Sequence, residues 1–177
     1  MALTLVLGPR RSGKSRYAEA VAREAGAPVI VIAPLTVTDD EMAARVAAHR
    51  AARPAGWRTV EEVDVVAAVR AAEPGATVLL DSLGTWVSER LWRAGALEDP
   101  ARAPAPALAD EARALARAAA ARDGLTVVVA EEAGWGPVPP SVATRLWLDV
   151  LGDAAQALSA AADRVVLVVA GRAVELP

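Results

Sequence analysis

An apolar run at Leu3–Leu7 passes through a glycine-bounded turn, Gly8-Pro9-Arg10-Arg11-Ser12-Gly13-Lys14-Ser15, into a helical pattern at Ser15–Ala25 closed by Gly26. The spacing Gly-x-x-x-x-Gly-Lys-Ser between a strand and a helix is that of a phosphate-binding loop. Glycines let the backbone wrap a chain of phosphates, and the first N–H groups of the helix lie at the positive end of its dipole. Lys14 is placed to neutralise β- and γ-phosphates, and Ser15 to ligate Mg²⁺. Of the nineteen basic residues in the chain, Lys14 is the only lysine. Where arginine serves almost everywhere else, the one compact ammonium marks a place that a planar guanidinium does not fit.

The rest of the chain repeats the same alternation. Val29–Ala33 reads as a buried strand stopped by Pro34, and the pattern Asp39–Arg53 as a helix broken by Pro54. Glu61–Ala72 reads as a helix, Thr77–Leu80 as a strand ending in Asp81, and Thr85–Ala94 as a helix. Glu98–Pro106 reads as a mobile connection, Asp110–Ala121 as an alanine-rich helix and Thr126–Ala130 as a strand leading into the loop Glu131–Pro140. A helix over Ser141–Ala162 then precedes a strand pair at Arg164–Ala170 and Ala173–Leu176, turned at Gly171. Aliphatic strands alternating with helices predict an α/β fold with a mostly parallel sheet flanked by helices, in one domain over residues 1–177. Ligands bind beyond the carboxyl ends of such strands. Gly8–Ser15, Pro34–Asp40, Asp81–Thr85 and Glu131–Trp135 are therefore expected on one rim.

Composition narrows the function. Aromatics are 3% of the 177 residues, so helices must lay small faces against aliphatic strands. A net charge of −3 argues against bulk electrostatic binding of nucleic acid or anionic membrane. The chain has no cysteine, which excludes disulfides and thiolate metal sites. No apolar run is long enough to span a bilayer, and the basic residues follow the N-terminal apolar run rather than precede it, so a cytoplasmic protein is expected.

Two further positions carry chemistry. An acid ending the strand Val78-Leu79-Leu80-Asp81 is suited to hold Mg²⁺ through water, with a helix N-cap as the other reading. His49, the only histidine, shares a predicted helix face with Arg45 and Arg53, and Arg50 lies beside it. Neighbouring positive charge disfavours the protonated ring. A neutral imidazole among guanidiniums fits a nucleophile attacking phosphorus, or a neutral phosphate ligand.

Together these segments resemble the adenosylcobinamide kinase/adenosylcobinamide-phosphate guanylyltransferase family of cobalamin nucleotide-loop assembly. The resemblance rests on the turn Gly8–Ser15, Asp40-Glu41-Met42-Ala43-Ala44-Arg45-Val46-Ala47-Ala48-His49-Arg50 and Arg53-Pro54-Ala55-Gly56-Trp57-Arg58-Thr59-Val60-Glu61. It extends to the strand ending in Asp81, Glu132-Ala133-Gly134-Trp135-Gly136-Pro137-Val138-Pro139 and Ala161-Ala162-Asp163-Arg164-Val165. It implies a RecA-like P-loop fold, assembly as a homotrimer, and a bifunctional enzyme. Such an enzyme phosphorylates adenosylcobinamide, then transfers GMP from GTP to adenosylcobinamide phosphate and releases pyrophosphate, with GTP and ATP as substrates and Mg²⁺ as cofactor. By resemblance His49 carries GMP covalently, and Lys14 and Asp81 assist. Arg50, Ala51, Ala52, Arg53, Glu61 and Asp81 match positions that hold the guanine nucleotide, and Ile32, Ala33 and Pro34 match a further nucleotide-contacting stretch. Pro9, Pro34, Val63, Glu131 and Ala155 depart from the usual family residues. A small-molecule P-loop kinase without a covalent step, and a non-catalytic GTP-binding interaction module, are the competing readings.

Overall fold

The computed structural model describes residues 2–35, 43, 44, 47 and 53–177. Among these, seven strands form one sheet: β1 (Ala2–Gly8), β2 (Val29–Ala33), β3 (Arg58–Glu61), β4 (Thr77–Asp81), β5 (Leu125–Glu131), β6 (Arg164–Val169) and β7 (Arg172–Leu176). Their order is β3-β2-β4-β5-β1-β6-β7, and every pairing is parallel except β6 with β7. The helices are α1 (Lys14–Glu24), α2 (Val65–Ala71), α3 (Leu83–Arg93), α4 (Ala105–Ala121) and α5 (Val142–Ser159), while Ala43, Ala44 and Ala47 are also helical. This is the expected mostly parallel sheet flanked by helices, with a C-terminal strand pair. No helix among the described residues is long and apolar enough to cross a membrane.

Strand alternation explains why both faces are covered. Leu3, Leu5, Val78, Leu80, Val128 and Ala130 face a core shared with α2, α3, α4 and α5. Their neighbours Val6, Leu79, Val127 and Val129 face α1, which answers with Ala18 and Ala22. In α1 the buried residues Lys14, Ala18 and Ala22 recur every four positions, so the helix lies close to the sheet along one small-residue stripe. A strand whose odd and even residues are both apolar needs this double cover.

The structure differs from the expected elements at three places. Arg58–Glu61 is a strand rather than approach and helix start, because the free edge of β2 pairs with it from Ile30↔Arg58 to Ala33↔Glu61. The following helix is consequently confined to Val65–Ala71, with Asp64 Oδ1 accepting from Ala67 N at 2.9 Å. The connection after α3 is more ordered than expected: Pro100–Arg102 forms a 3₁₀ turn and α4 begins at Ala105. Pro106 falls at the helix start, where a missing N–H costs nothing.

Candidate functional site

Gly8, Ala33, Glu61, Asp81 and Glu131 each close a parallel strand, which brings Gly8–Ser15, Asp81–Thr85 and Glu131–Trp135 to one rim with Pro34 at the end of β2. Residues 36–40 of the fourth expected segment lie outside the described residues. Gly8 lies opposite Glu131 in the β1–β5 register, and Asp81 lies opposite Val129. β5 therefore stands between the strand of the phosphate loop and the strand of Asp81, and its terminal Glu131 sits between them.

The phosphate loop is held from several sides. Arg11 (φ 59°) and Gly13 (φ 96°) take left-handed backbone conformations that curl the turn. Ser12 N donates to Pro9 O at 3.2 Å, and Ser12 Oγ accepts from Lys14 N at 3.3 Å. The β6–β7 turn joins in: Ala170 and Gly171 both have positive φ, as a tight hairpin requires, and Gly171 N donates to Ser12 O at 2.8 Å. A Cβ on Gly8 would stand 2.5 Å from Ser12 Oγ and 2.6 Å from the Val168 carbonyl, so only glycine fits beneath the loop. Gly13 gives α1 no side-chain cap and its first turn holds no acid, which leaves the helix N-terminus available to an anion.

Side chains converge above this backbone. Lys14 is buried, and its Nζ lies 4.0 Å from Glu131 Oε1. Ser15 Oγ donates to Asp81 Oδ1 at 3.2 Å. Arg53 Nη2 lies 3.9 Å from Asp81 Oδ2, while its Nη1 donates to Thr59 Oγ1 at 3.2 Å. Arg53 Nε is buried and has no hydrogen-bond partner among the described residues. The N-cap of α3 is Ser82, whose Oγ accepts from Thr85 N at 3.3 Å, so Asp81 is not occupied in capping.

Mg²⁺ fits this donor set. A serine hydroxyl and a carboxylate side by side are hard oxygen ligands, and the described residues hold no cluster of three or more His, Cys, Asp or Glu. A two-oxygen protein contribution matches a cation that keeps waters and shares substrate phosphates, rather than one caged by the protein.

Not every expected residue reaches the rim with its side chain. Ile32 is fully buried in the core facing α2–α5, while Ala33 and Pro34 are buried at the end of β2 and Glu61 is exposed at the end of β3. His49, Arg45, Arg50, Ala51 and Ala52 lie outside the described residues.

The structure adds residues to which the sequence analysis assigns no role in the site. Glu131 Oε2 accepts from Gly84 N at 2.9 Å, and Trp147 Nε1 donates to Gly84 O at 3.1 Å. A Cβ on Gly84 would run into the Glu131 carboxylate and meet the Trp147 ring at 3.0 Å. Gly84 thus locks a carboxylate of β5 and an indole of α5 to the start of α3. Glu131 carried a legible signal, an acid closing an apolar strand as Asp81 does; nothing along α5 distinguished Trp147. Beside Lys14 a cavity of about 600 Å³ opens, lined among others by Arg10, Glu131, Glu132, Trp135 and Trp147.

Comparison with known proteins agrees over nearly the whole chain. Residues 4–176 match the family described as cobinamide kinase / cobinamide phosphate guanyltransferase. The chain is 40% identical over 169 residues to the bifunctional adenosylcobalamin biosynthesis protein CobP of Pseudomonas aeruginosa, covering 94% of this chain and 92% of that one. It is 39% identical over 181 residues to the bifunctional adenosylcobalamin biosynthesis protein CobU of Salmonella typhimurium, covering 98% and 99%. The CobU protein of Escherichia coli K12 is 38% identical over 180 residues, with the same coverage.

Proposed function

This chain belongs to the cobinamide kinase / cobinamide phosphate guanyltransferase family, and from that premise we propose how its residues divide the work. The activity is bifunctional: phosphorylation of cobinamide, then guanylyl transfer to the phosphate so formed. In the proposed kinase step the triphosphate of GTP or ATP lies in the turn Gly8–Ser15. Lys14 neutralises its outer phosphates, and Ser15 with Asp81 holds Mg²⁺, which would spread the charge of the transferring group. The observation that carries this assignment is the convergence of Lys14 Nζ, the Ser15–Asp81 pair and the uncapped start of α1 on one rim.

For guanylyl transfer, His49 is the proposed nucleophile. Its unprotonated nitrogen attacks the α-phosphorus of GTP, the nitrogen–phosphorus bond forms, and the bond to the bridging oxygen breaks to release pyrophosphate. A phosphate oxygen of adenosylcobinamide phosphate then attacks the same phosphorus, the bond to His49 breaks, and adenosylcobinamide-GDP leaves. Arg50, Ala51, Ala52, Arg53 and Glu61, with Ile32–Pro34, form the proposed guanine-nucleotide side. Arg53 Nε, buried and without a partner among the described residues, supports a phosphate oxygen there. Imidazole suits the covalent step because it is a nucleophile when neutral and a competent leaving group afterwards. A cytoplasmic homotrimer completes the reading, checked by sedimentation of the purified protein.

Incubation with α-³²P-GTP and Mg²⁺, followed by denaturing gel analysis, tests the covalent step. The expected result is an acid-labile, alkali-stable label on the wild-type protein that vanishes in His49→Ala. Absence of label from wild-type protein that still binds GTP would sink the histidine intermediate and leave a kinase without a covalent step.

A further inference from the structure

The cavity beside Lys14 has a wall that phosphate binding does not explain. Trp135 stands there 66% exposed, in a loop whose residues 133–138 are all exposed. An indole left in water costs apolar hydration that contact with a flat ligand would remove. Trp147 forms part of the same lining and is kept in place by its bond to the Gly84 carbonyl. Glu132 lines the cavity too. Its backbone N donates to Gly8 O at 2.9 Å, which ties it to the phosphate turn, yet its carboxylate has no partner among the described residues. Glu131, by contrast, is engaged by Gly84 N and faces Lys14.

Position along the rim distinguishes this space from the nucleotide side. Ala33, Glu61 and Asp81 end β2, β3 and β4, and Arg53 reaches Asp81, all on one side of β5. The cavity is lined instead by residues following β5 and β1. Lys14 is shared by both sides. In phosphoryl transfer the attacking and leaving oxygens lie roughly in line across phosphorus, so donor and acceptor approach from opposite sides of the transferring group. The volume, about 600 Å³, is in the range of sites that take a small molecule, and Trp135 lines it.

Resting on the family function above, we propose that this cavity is the acceptor site of the kinase step. The hydroxyl-bearing arm of cobinamide enters beside Lys14, the flat corrinoid body stacks on Trp135, and Glu132 is the base for the hydroxyl. As that oxygen bonds to the γ-phosphorus, its proton passes to the Glu132 carboxylate. The bond between γ-phosphorus and the oxygen of the departing nucleoside diphosphate breaks.

Two measurements on the full chain test this: steady-state kinase kinetics with GTP and cobinamide, and equilibrium dialysis of cobinamide in the presence of a non-hydrolysable GTP analogue. Trp135→Ala should raise the KM for cobinamide about tenfold, the scale of a lost aromatic contact, and weaken its retention in dialysis to match. The KM for GTP should stay unchanged. Glu132→Gln should lower kcat about 10²-fold or more with both KM values kept, and Glu132→Asp should recover part of it. Unchanged cobinamide KM and retention in Trp135→Ala would overturn the site, as would a rise in the KM for GTP alone, which would assign the cavity to the nucleotide base. Full kcat in Glu132→Gln would overturn the base. If wild-type protein retained cobinamide but phosphorylated none, the kinase function would fall, and the dependence of retention on Trp135 would still decide the location.

Discussion

Around Lys14 the backbone is bonded on every side: Ser12 to Pro9, Gly171 to Ser12, and the Ser12 hydroxyl to Lys14 N. Across the same cavity, the loop that carries Trp135 is anchored, among the described residues, only near its ends. Glu132 N is held by Gly8 O, and Arg145 Nη1 donates to the carbonyls of Pro139 and Pro140 at 2.7 and 2.8 Å. Between those anchors residues 133–138 are exposed. The two walls differ because they meet different demands. A phosphate chain is small and of fixed shape, so donors rigidly placed by buried backbone bind it with no reorganisation. A large, flat acceptor is gripped by surface, and surface can be supplied by a loop fixed at both ends.

The largest expected effect comes from removing the charge at the rigid wall. Lys14→Ala should lower kcat of the kinase step by about 10²- to 10³-fold, the scale of losing one group aimed at developing charge. Lys14→Arg should be little better, since a planar guanidinium does not replace a compact ammonium at a buried position 4.0 Å from Glu131. Kinase assays at saturating substrate decide both. If Lys14→Ala lost activity only through KM, the rigid wall would be binding ground-state phosphate alone.

A matched pair of glycine substitutions compares the two walls directly. Gly8→Ala pushes a methyl into Ser12 and the Val168 carbonyl and should lower unfolding free energy by about 1–3 kcal/mol. Gly134→Ala meets nothing within 4 Å, and its stability in denaturant titration should stay within about 0.5 kcal/mol of wild type. Equal losses at both positions would mean that the loop is as tightly built as the cradle.

The smallest effect lies away from both walls. Arg58, at the start of β3, donates from Nη2 to both carboxylate oxygens of Glu73 at 2.8 Å. The Glu73 carboxyl is held below its ordinary range, first by a hydrogen bond from its own backbone; desolvation opposes this, and the Arg58 guanidinium adds to it. A lowered folded-state value means stability that is present above the unfolded-chain value and lost as pH falls through the folded one. Glu73→Gln should therefore narrow, slightly, the drop in Tm between neutral and acidic pH. Because the pair is exposed, an unchanged drop would show that solvent screens it completely.

Much of this architecture was legible in the residues. The aliphatic runs at β1, β2, β4 and β5 are buried on both faces, so their apolar character is continuous and unmistakable. The phosphate turn and Asp81 were visible because each sits at the carboxyl end of such a run. β3 was not visible. Of its four residues only Thr59 and Val60 are half-buried, Arg58 and Glu61 put an exposed charge at each end, and the strand exists because β2 offers a free edge. The start of α4 was obscured by Pro104 and Pro106, which read as breakers although helix starts accept them.

The sequence by itself determined the sheet of alternating strands and helices, the phosphate turn and the acid that faces it, because these depend on local pattern and on short spacings. Only the tertiary structure decided that Gly171 from the C-terminal turn supports Ser12, that Gly84 ties Glu131 to Trp147, and that Trp135 and Glu132 border the space beside Lys14. These partners lie tens to more than a hundred residues apart along the chain. Their meeting follows from strand order, which inserts β5 between β1 and β4 and β6 beside β1. Strand order is set by how all the strands and helices pack at once, and no single segment encodes it.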